Sequence, residues 1–252
     1  MIKIKSKDFI FTSIKGVIFD KDGTITDSNT YWSKIIRMRA DLIIERYRIS
    51  SNYFPELCNS MGLNIQTDKL LPIGPIALKS REEVINNILI FLKSIDYFLD
   101  YQSIDNLFFE VNKDFSKIAT NYIKPIKPCI NLINKLQKYK VRLSLVTSDS
   151  TKNAELVCDK LKITSCFDFI IGGDKKLKKK SSGEPAEHVC KLMDIEPRNT
   201  ICIGDAPMDF EMSKNSNLKG AILVESGQIP IKTLLNYSKY CVKSLSEIKI
   251  ES

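Results

Sequence analysis

This sequence predicts an α/β fold: a parallel sheet with helices on both faces, interrupted by an inserted α-helical domain. Three observations predict it. Short apolar runs alternate with helix-length segments toward both ends of the chain, the signature of a sheet covered on both faces. The interval from about Asp27 to Lys124 breaks that rhythm with consecutive helical patterns. Carboxylates and hydroxyls cluster just after the strand-like runs, where open α/β sheets bind their ligands.

The first strand-like run is "GVIFD" from Gly16, apolar until it stops at Asp20. Four more follow: "RLSLVTS" (Arg142 to Ser148), "FDFIIGG" (Phe167 to Gly173), "TICIGD" (Thr200 to Asp205) and "GAILVES" (Gly220 to Ser226). Each is strand-length and most are rich in β-branched residues. Helix-length segments lie between them: Cys129 to Lys140, Thr151 to Ile163, Pro185 to Ile195 and Met208 to Asn217. Within the insert, Tyr31 to Ile49 and Ser80 to Leu99 read as long helices with little strand character. The return hinge is expected at "IKPIKP", Ile123 to Pro128, because proline restricts its own backbone and disfavours helix in the residue before it. The expected domains are therefore residues 1–26 with 125–252, and 27–124.

Composition narrows the function. At 252 residues and 43% hydrophobic, the chain can bury a substantial core. No apolar stretch approaches the ~18 residues of a membrane span, and "MIKIKSKDFIF" has no signal-peptide pattern; a soluble cytoplasmic protein, monomer or homodimer, is expected. Seven scattered cysteines without C-x-x-C spacing suggest reduced, mostly buried thiols. The single histidine, His188, excludes a mechanism built on paired histidines and is expected to be structural. The net charge of +8 reflects lysines spread along the whole chain, so no nucleic-acid partner is expected. The exception is "KKLKKK", Lys175 to Lys180, a solvated loop dense enough to attract an anion locally.

The first strand ends on two carboxylates, Asp20 and Asp22, followed by Gly23 and Thr24. A carboxylate can attack phosphorus and form an aspartyl-phosphate, splitting one hard hydrolysis into two easier steps. A second carboxyl group two positions on can protonate the leaving oxygen and later activate water, provided that Gly23 turns the loop sharply. A phosphate would be repelled by bare carboxylates, so a hard divalent cation is needed, and Mg²⁺ fits best. Donors for the phosphoryl oxygens come from Thr147 and a lysine of the "KKLKKKSSGEP" stretch. Further carboxylates come from Asp205 and Asp209, whose spacing of four would put them on one face of a helix starting there.

At these residues the sequence resembles the haloacid dehalogenase-like phosphohydrolase superfamily, most closely its phosphoglycolate phosphatase-like branch with a helical cap. "DKDGT" matches the D-x-D-G-T motif, Thr147 in "LSLVTS" the second motif, "KSSGEP" the lysine motif with Lys180, and "GDAPMD" the G-D-x-x-x-D motif. The resemblance implies a Rossmann-like core with Asp20 as nucleophile and Asp22 as general acid/base. It places the Asp22 carbonyl, Asp20, Asp205 and Asp209 around Mg²⁺, and Gly23, Thr24, Thr147, Ser148 and Lys180 around the phosphoryl group. Ser181 and Gly183 stand where the family commonly has proline, and a small register shift would exchange Lys180 for Lys178 or Lys179.

The expected substrate is a small-molecule phosphomonoester, phosphoglycolate-like or sugar-phosphate-like, hydrolysed through an aspartyl-phosphate. A phosphomutase on the same fold and a non-catalytic phosphate- or nucleic-acid-binding protein are the alternatives. Lys21 is expected to pack its stem and reach solvent, with a turn into the site that adds phosphate attraction as the other reading. Arg37, Arg39, Lys79, Arg81, Tyr31 and Trp32 are expected to be packing or solvated residues of the insert, with contact to a second anionic group as the other reading.

Overall fold

The computed structural model describes residues 2–76 and 79–252. The chain divides into two compact units, Met1–Asp27 with Lys124–Ser252, and Ser28–Ile123.

The discontinuous unit contains β1 (Ile2–Lys5), β2 (Ile10–Ile14) and β3 (Gly16–Phe19) before the insert. After it come α5 (Lys127–Lys138), β6 (Arg142–Val146), α6 (Thr151–Leu161), β7 (Phe169–Ile171), α7 (Glu184–Met193) and β8 (Thr200–Gly204). The unit closes with α8 (Pro207–Asn215), β9 (Gly220–Val224), α9 (Ile231–Leu234), β10 (Cys241–Val242) and β11 (Lys249–Glu251). Six strands form one parallel sheet in the order β10-β9-β8-β3-β6-β7.

The first strand of this sheet, β3, is thus central: Val17 is paired with Leu143 on one side and Ile201 on the other. A strand covered on both faces needs apolar side chains at every position, and all of β3 is buried. Val17 and Phe19 point with Leu143 and Ile203 into a core completed by Leu132 and Ile133 of α5. The opposite face carries Ser144, whose hydroxyl meets the Met193 sulfur of α7 at 3.2 Å.

The chain reverses its winding at β3, so the crevice beyond the ends of β3, β6 and β8 is the topological switch point. Where the backbone leaves and re-enters this unit, Asp27 N–H donates to Lys124 O at 2.9 Å and Ile126 N–H donates to Ile25 O at 2.8 Å.

Several short elements were not foreseen, among them α9, β10, the pair β4 (Leu63–Asn64) and β5 (Lys69–Leu70) of the insert, and the strands β1, β2 and β11. β1, β2 and β11 form a separate antiparallel sheet, β11-β1-β2, with Lys3 opposite Glu251. Its apolar residues Ile2, Ile4, Phe11 and Ile14 extend the same core.

The contiguous unit holds α1 (Ser28–Tyr47), α2 (Phe54–Ser60), the antiparallel pair β4 (Leu63–Asn64) and β5 (Lys69–Leu70), α3 (Arg81–Ser94) and α4 (Tyr101–Ser116). Its helices start where side chains satisfy orphan N–H groups. Ser80 Oγ accepts from Glu83 N–H at 3.2 Å while Glu83 Oε2 accepts from Ser80 N–H at 3.0 Å, and Asp100 caps α4 through Ser103 N–H at 2.7 Å. Ile36, Ile43, Ile85, Ile88 and Leu107 form its own core. No helix among the described residues is long and apolar enough to cross a membrane.

Candidate active site

Asp20 follows β3, Thr147 follows β6 and Asp205 follows β8, so three adjacent strands deliver polar side chains to one crevice. The loop after β3 is a tight knot of backbone bonds: Ile25 N–H and Thr26 N–H both donate to Lys21 O, at 2.8 and 3.0 Å, and Gly23 N–H donates to Thr26 O at 2.8 Å. Gly23 has φ +79°, a region that L side chains rarely occupy, and a Cβ there would fall 2.3 Å from Asp205 Oδ2. Since its N–H is spent within the loop, Gly23 gives the site space and a turn instead of a donor.

Asp20, Asp205 and Asp209 form the cluster of this crevice: their ligand oxygens lie within 4.8 Å of one another, and all three residues are buried. Asp209 stands in the first turn of α8, its Oδ2 accepting from Ala206 N–H at 3.1 Å. Asp205 precedes the helix, which starts at Pro207. The two carboxylates therefore meet because Asp209 reaches back toward the strand end, not because they share a helix face as their spacing suggested.

Lys180 enters from a short 3-10 turn, Lys180–Ser182, and is itself buried. Its ammonium donates to Asp20 Oδ1 and ion-pairs with Asp209 Oδ1 at 2.6 Å. It is Lys180 that reaches Asp20, while Lys178 and Lys179 are exposed.

Electrostatics make this an unfinished cluster. Burial pushes the Asp20 carboxyl up to about 7 despite the opposing pull of Lys180. Burial, with Asp20 and Asp209 nearby, raises Asp205 well above the usual carboxylate range. Burial disfavours the Lys180 ammonium, yet Asp20 and Asp209 hold its pKa above that of an ordinary lysine. Three buried carboxylates against one ammonium leave an excess of negative charge, and their all-oxygen donor set fits a hard divalent cation.

The remaining expected residues are close in the fold. Thr147 is buried, its backbone N–H donating to Ile171 O at 3.0 Å and its Oγ1 accepting from Asp149 N–H at 3.1 Å. Ser148 is exposed, its hydroxyl 3.6 Å from the Met208 sulfur. The Thr24 hydroxyl is buried, with no hydrogen-bond partner among the described residues. Asp22 is not one of the three clustered carboxylates, but its charge acts on Asp20 and Asp205, and it is partly exposed.

Lys21 departs from its expectation. It is 1% exposed, and its ammonium lies 2.8 Å from Asp22 Oδ1 and 3.0 Å from Asp149 Oδ2. Burial opposes its charge, but the two carboxylates more than offset this and raise its pKa. The physical reason is that the loop knot turns the side chain inward, where a carboxylate from each of two loops receives it.

Two contributors were missed. Ser226 Oγ donates to Gly23 O at 2.7 Å, and a Cβ at Gly227 would fall 1.7 Å from Asp205 Oδ2. The only sequence signal for them was "ESG" after a strand-like run.

In the contiguous unit, Arg37 pairs with Asp68 at 2.7 Å, Arg81 with Asp105 at 2.6 Å and Lys79 with Glu83 at 3.7 Å. Tyr31 packs edge-on against Phe115 and Trp32. Arg39 is buried, 3.7 Å above the Phe108 ring, and burial lowers its pKa to about 9.

A doubly wound sheet with a buried carboxylate cluster at its switch point defines an α/β enzyme of the type that works through acidic side chains at strand ends. The chain belongs to the haloacid dehalogenase-like hydrolases: the family matches residues 14–217. It is similar to a phosphoglycolate phosphatase of Aquifex aeolicus, 23% identical over 225 residues covering 86% of this chain and 91% of the relative. Among solved structures it is similar to a predicted phosphoglycolate phosphatase from Haemophilus somnus, with TM-score 0.73 at 14% identity, covering 94% of this chain and 97% of the other. A putative β-phosphoglucomutase from Thermotoga maritima has TM-score 0.65 at 17% identity, with 93% and 96% covered. At these identities the structural likenesses establish the fold alone.

Proposed function

We propose that the protein is a Mg²⁺-dependent phosphatase that hydrolyses a small-molecule phosphomonoester through an aspartyl-phosphate on Asp20. The observation that carries this reading is Asp20 at the end of the central strand, bonded to Lys180 and clustered with Asp205 and Asp209. The likeness to a phosphoglycolate phosphatase of Aquifex aeolicus along most of the chain supports the same class of substrate.

In this reading the Asp20 carboxylate attacks phosphorus, the ester bond breaks, and the departing oxygen takes a proton from the Asp22 carboxyl. Asp22 then accepts a proton from water as the water oxygen attacks the aspartyl-phosphate, which releases inorganic phosphate and restores Asp20. Thr24, Thr147, Ser148 and Lys180 bind the phosphoryl oxygens, and Lys180 also holds Asp20 in place. Mg²⁺ held by Asp20, Asp205, Asp209 and the Asp22 carbonyl would supply the charge neutralisation that lets a carboxylate approach a phosphate. The helical unit is assigned the role of selecting the substrate and excluding water.

The test is phosphate release from a panel of phosphomonoesters, with Mg²⁺ or EDTA, by the protein beside Asp20→Asn. Turnover that requires Mg²⁺ and falls by at least about 10³-fold in the variant is expected. Turnover retained by Asp20→Asn refutes covalent catalysis at Asp20. Isomerisation of a sugar phosphate without net phosphate release would assign a mutase instead.

A further inference from the structure

Lys21 stands between Asp20 and Asp22 and takes no part in the mechanism above. An ammonium beside a phosphate site attracts the substrate only if its charge is free, and this one is answered twice: Nζ lies 2.8 Å from Asp22 Oδ1 and 3.0 Å from Asp149 Oδ2. What the contact does instead is hold Asp22.

Both ends of the bridge are fixed. Lys21 is 1% exposed and its carbonyl accepts from the Ile25 and Thr26 N–H groups, so its stem and its backbone are both confined. Asp149 divides its oxygens: Oδ1 accepts from Ser150 N–H at 2.7 Å and from Asn153 Nδ2 at 3.1 Å, while Oδ2 receives Lys21. Asp149 N–H in turn donates to Thr147 Oγ1 at 3.1 Å, so the anchor belongs to the loop that carries Thr147.

Asp22 is divided in the same way. Oδ1 takes Lys21, with the Thr26 hydroxyl 3.5 Å from the same oxygen, and Oδ2 accepts no hydrogen bond among the described residues. The Asp22 side chain is 19% exposed, enough to meet a substrate and enough to turn away from it unless something holds it. A group that transfers a proton must offer its oxygen along one direction, and a misplacement of about 1 Å costs about 10²-fold in rate. A buried ammonium on one oxygen orients the other, whether Asp22 is a carboxyl or a carboxylate, since the carbonyl oxygen of either accepts from N–H.

We propose that Lys21 is a positioning residue for the reaction, acting through Asp22: anchored by Asp149, it holds Oδ1 so that Oδ2 delivers a proton to the departing oxygen and takes one back from water. The proposal rests on the phosphatase reading above for the role of Asp22. In the first step an Asp20 oxygen bonds to phosphorus, the ester P–O bond breaks with its electron pair on the departing oxygen, and the Oδ2 proton passes to that oxygen. In the second the water oxygen bonds to phosphorus, one of its protons goes to Oδ2, and the P–O bond to Asp20 breaks.

The test compares kcat/KM, which covers the steps up to loss of the alcohol, for two substrates. One is p-nitrophenyl phosphate, whose phenolate departs without a proton; the other is the fastest alkyl phosphomonoester of the panel, whose alkoxide does not. A general loosening of the fold lowers both alike. Lys21→Met is expected to lower the alkyl ester at least about tenfold more than the nitrophenyl ester. Asp149→Asn, which keeps Lys21 paired with Asp22 in a folded protein, should move the ratio the same way by at least about twofold. In an Asp22→Asn background, Lys21→Met should change the ratio by less than about twofold, because the residue through which it acts is gone. Equal losses on the two substrates in both variants, or a Lys21 effect that survives Asp22→Asn, would overturn the proposal. Failure of the phosphatase reading shows separately, as absence of Asp20-dependent phosphate release by the unsubstituted protein, and overturns both.

Discussion

Replacing Lys21 with methionine removes the ammonium that joins the loop after β3 to the loop after β6. The Lys21 side chain is only 2% exposed, while those of Asp22 and Asp149 are 19% and 21% exposed. Removing one partner of a buried ion pair costs about 3–5 kcal/mol, because the other charge stays behind without compensation. Here both carboxylates touch solvent and can rehydrate in part, so the loss belongs at the lower end, about 3 kcal/mol. For a chain of this size each kcal/mol moves Tm by about 2–4 °C, which gives an expected fall of roughly 6–12 °C. Thermal unfolding followed by circular dichroism measures it, and a cycle of Lys21→Met, Asp149→Asn and the double variant isolates the pair. A coupling of at least about 1 kcal/mol is expected from a contact of this kind. A Tm change below about 2 °C, or strictly additive single changes, would refute the claim that this buried pair ties the two loops together.

Gly23→Ala forces a left-handed residue to carry a Cβ against Asp205, and the backbone alone costs about 1–2 kcal/mol; phosphate release should fall at least tenfold, about 1.4 kcal/mol in transition-state binding, in a steady-state assay. Arg39→Met removes a buried guanidinium that has no ion-pair partner among the described residues, so stability should hold or rise by about 1 kcal/mol in urea unfolding, whereas a loss above 2 kcal/mol would show that stacking on Phe108 dominates. Burial pushes the Cys58 thiol up to about 12 and raises Cys202 well above the ordinary thiol range, so a disulfide-exchange reagent should modify Cys166 and Cys241 in the native protein and the other cysteines only after unfolding. EDTA should abolish phosphate release, with Mg²⁺ restoring it, and should leave secondary structure by circular dichroism unchanged, since the strands close around apolar side chains.

Much of the sheet was legible because buried parallel strands are continuous apolar runs, as in β3, β8 and β9. The small sheet of β1, β2 and β11 was not, because its strands are short and the pairing joins residues at opposite ends of the sequence. The nearness of Asp205 and Asp209 was expected for a reason that the structure replaces, since Pro207 starts the helix after Asp205 and only Asp209 lies on it. Lys21 was misread because nothing local shows a partner 128 positions away at Asp149. The choice among Lys178, Lys179 and Lys180 was open in the sequence because neighbouring residues of one type differ only in the direction that a short 3-10 turn gives them.

The central place of β3 bears on how the molecule comes to exist. Gly16 pairs with Arg142, 126 positions later, and with Thr200, 184 positions later. During synthesis β3 emerges early and waits without either neighbour while the whole of Ser28–Ile123, which holds a core of its own, is made. The helical unit can settle from contacts within a contiguous stretch, whereas the sheet carries long-range loop closure as its entropic cost and forms late. In that interval "GVIF" is a bare apolar strand open on both edges, so it is the segment through which slow or crowded synthesis would lead to aggregation.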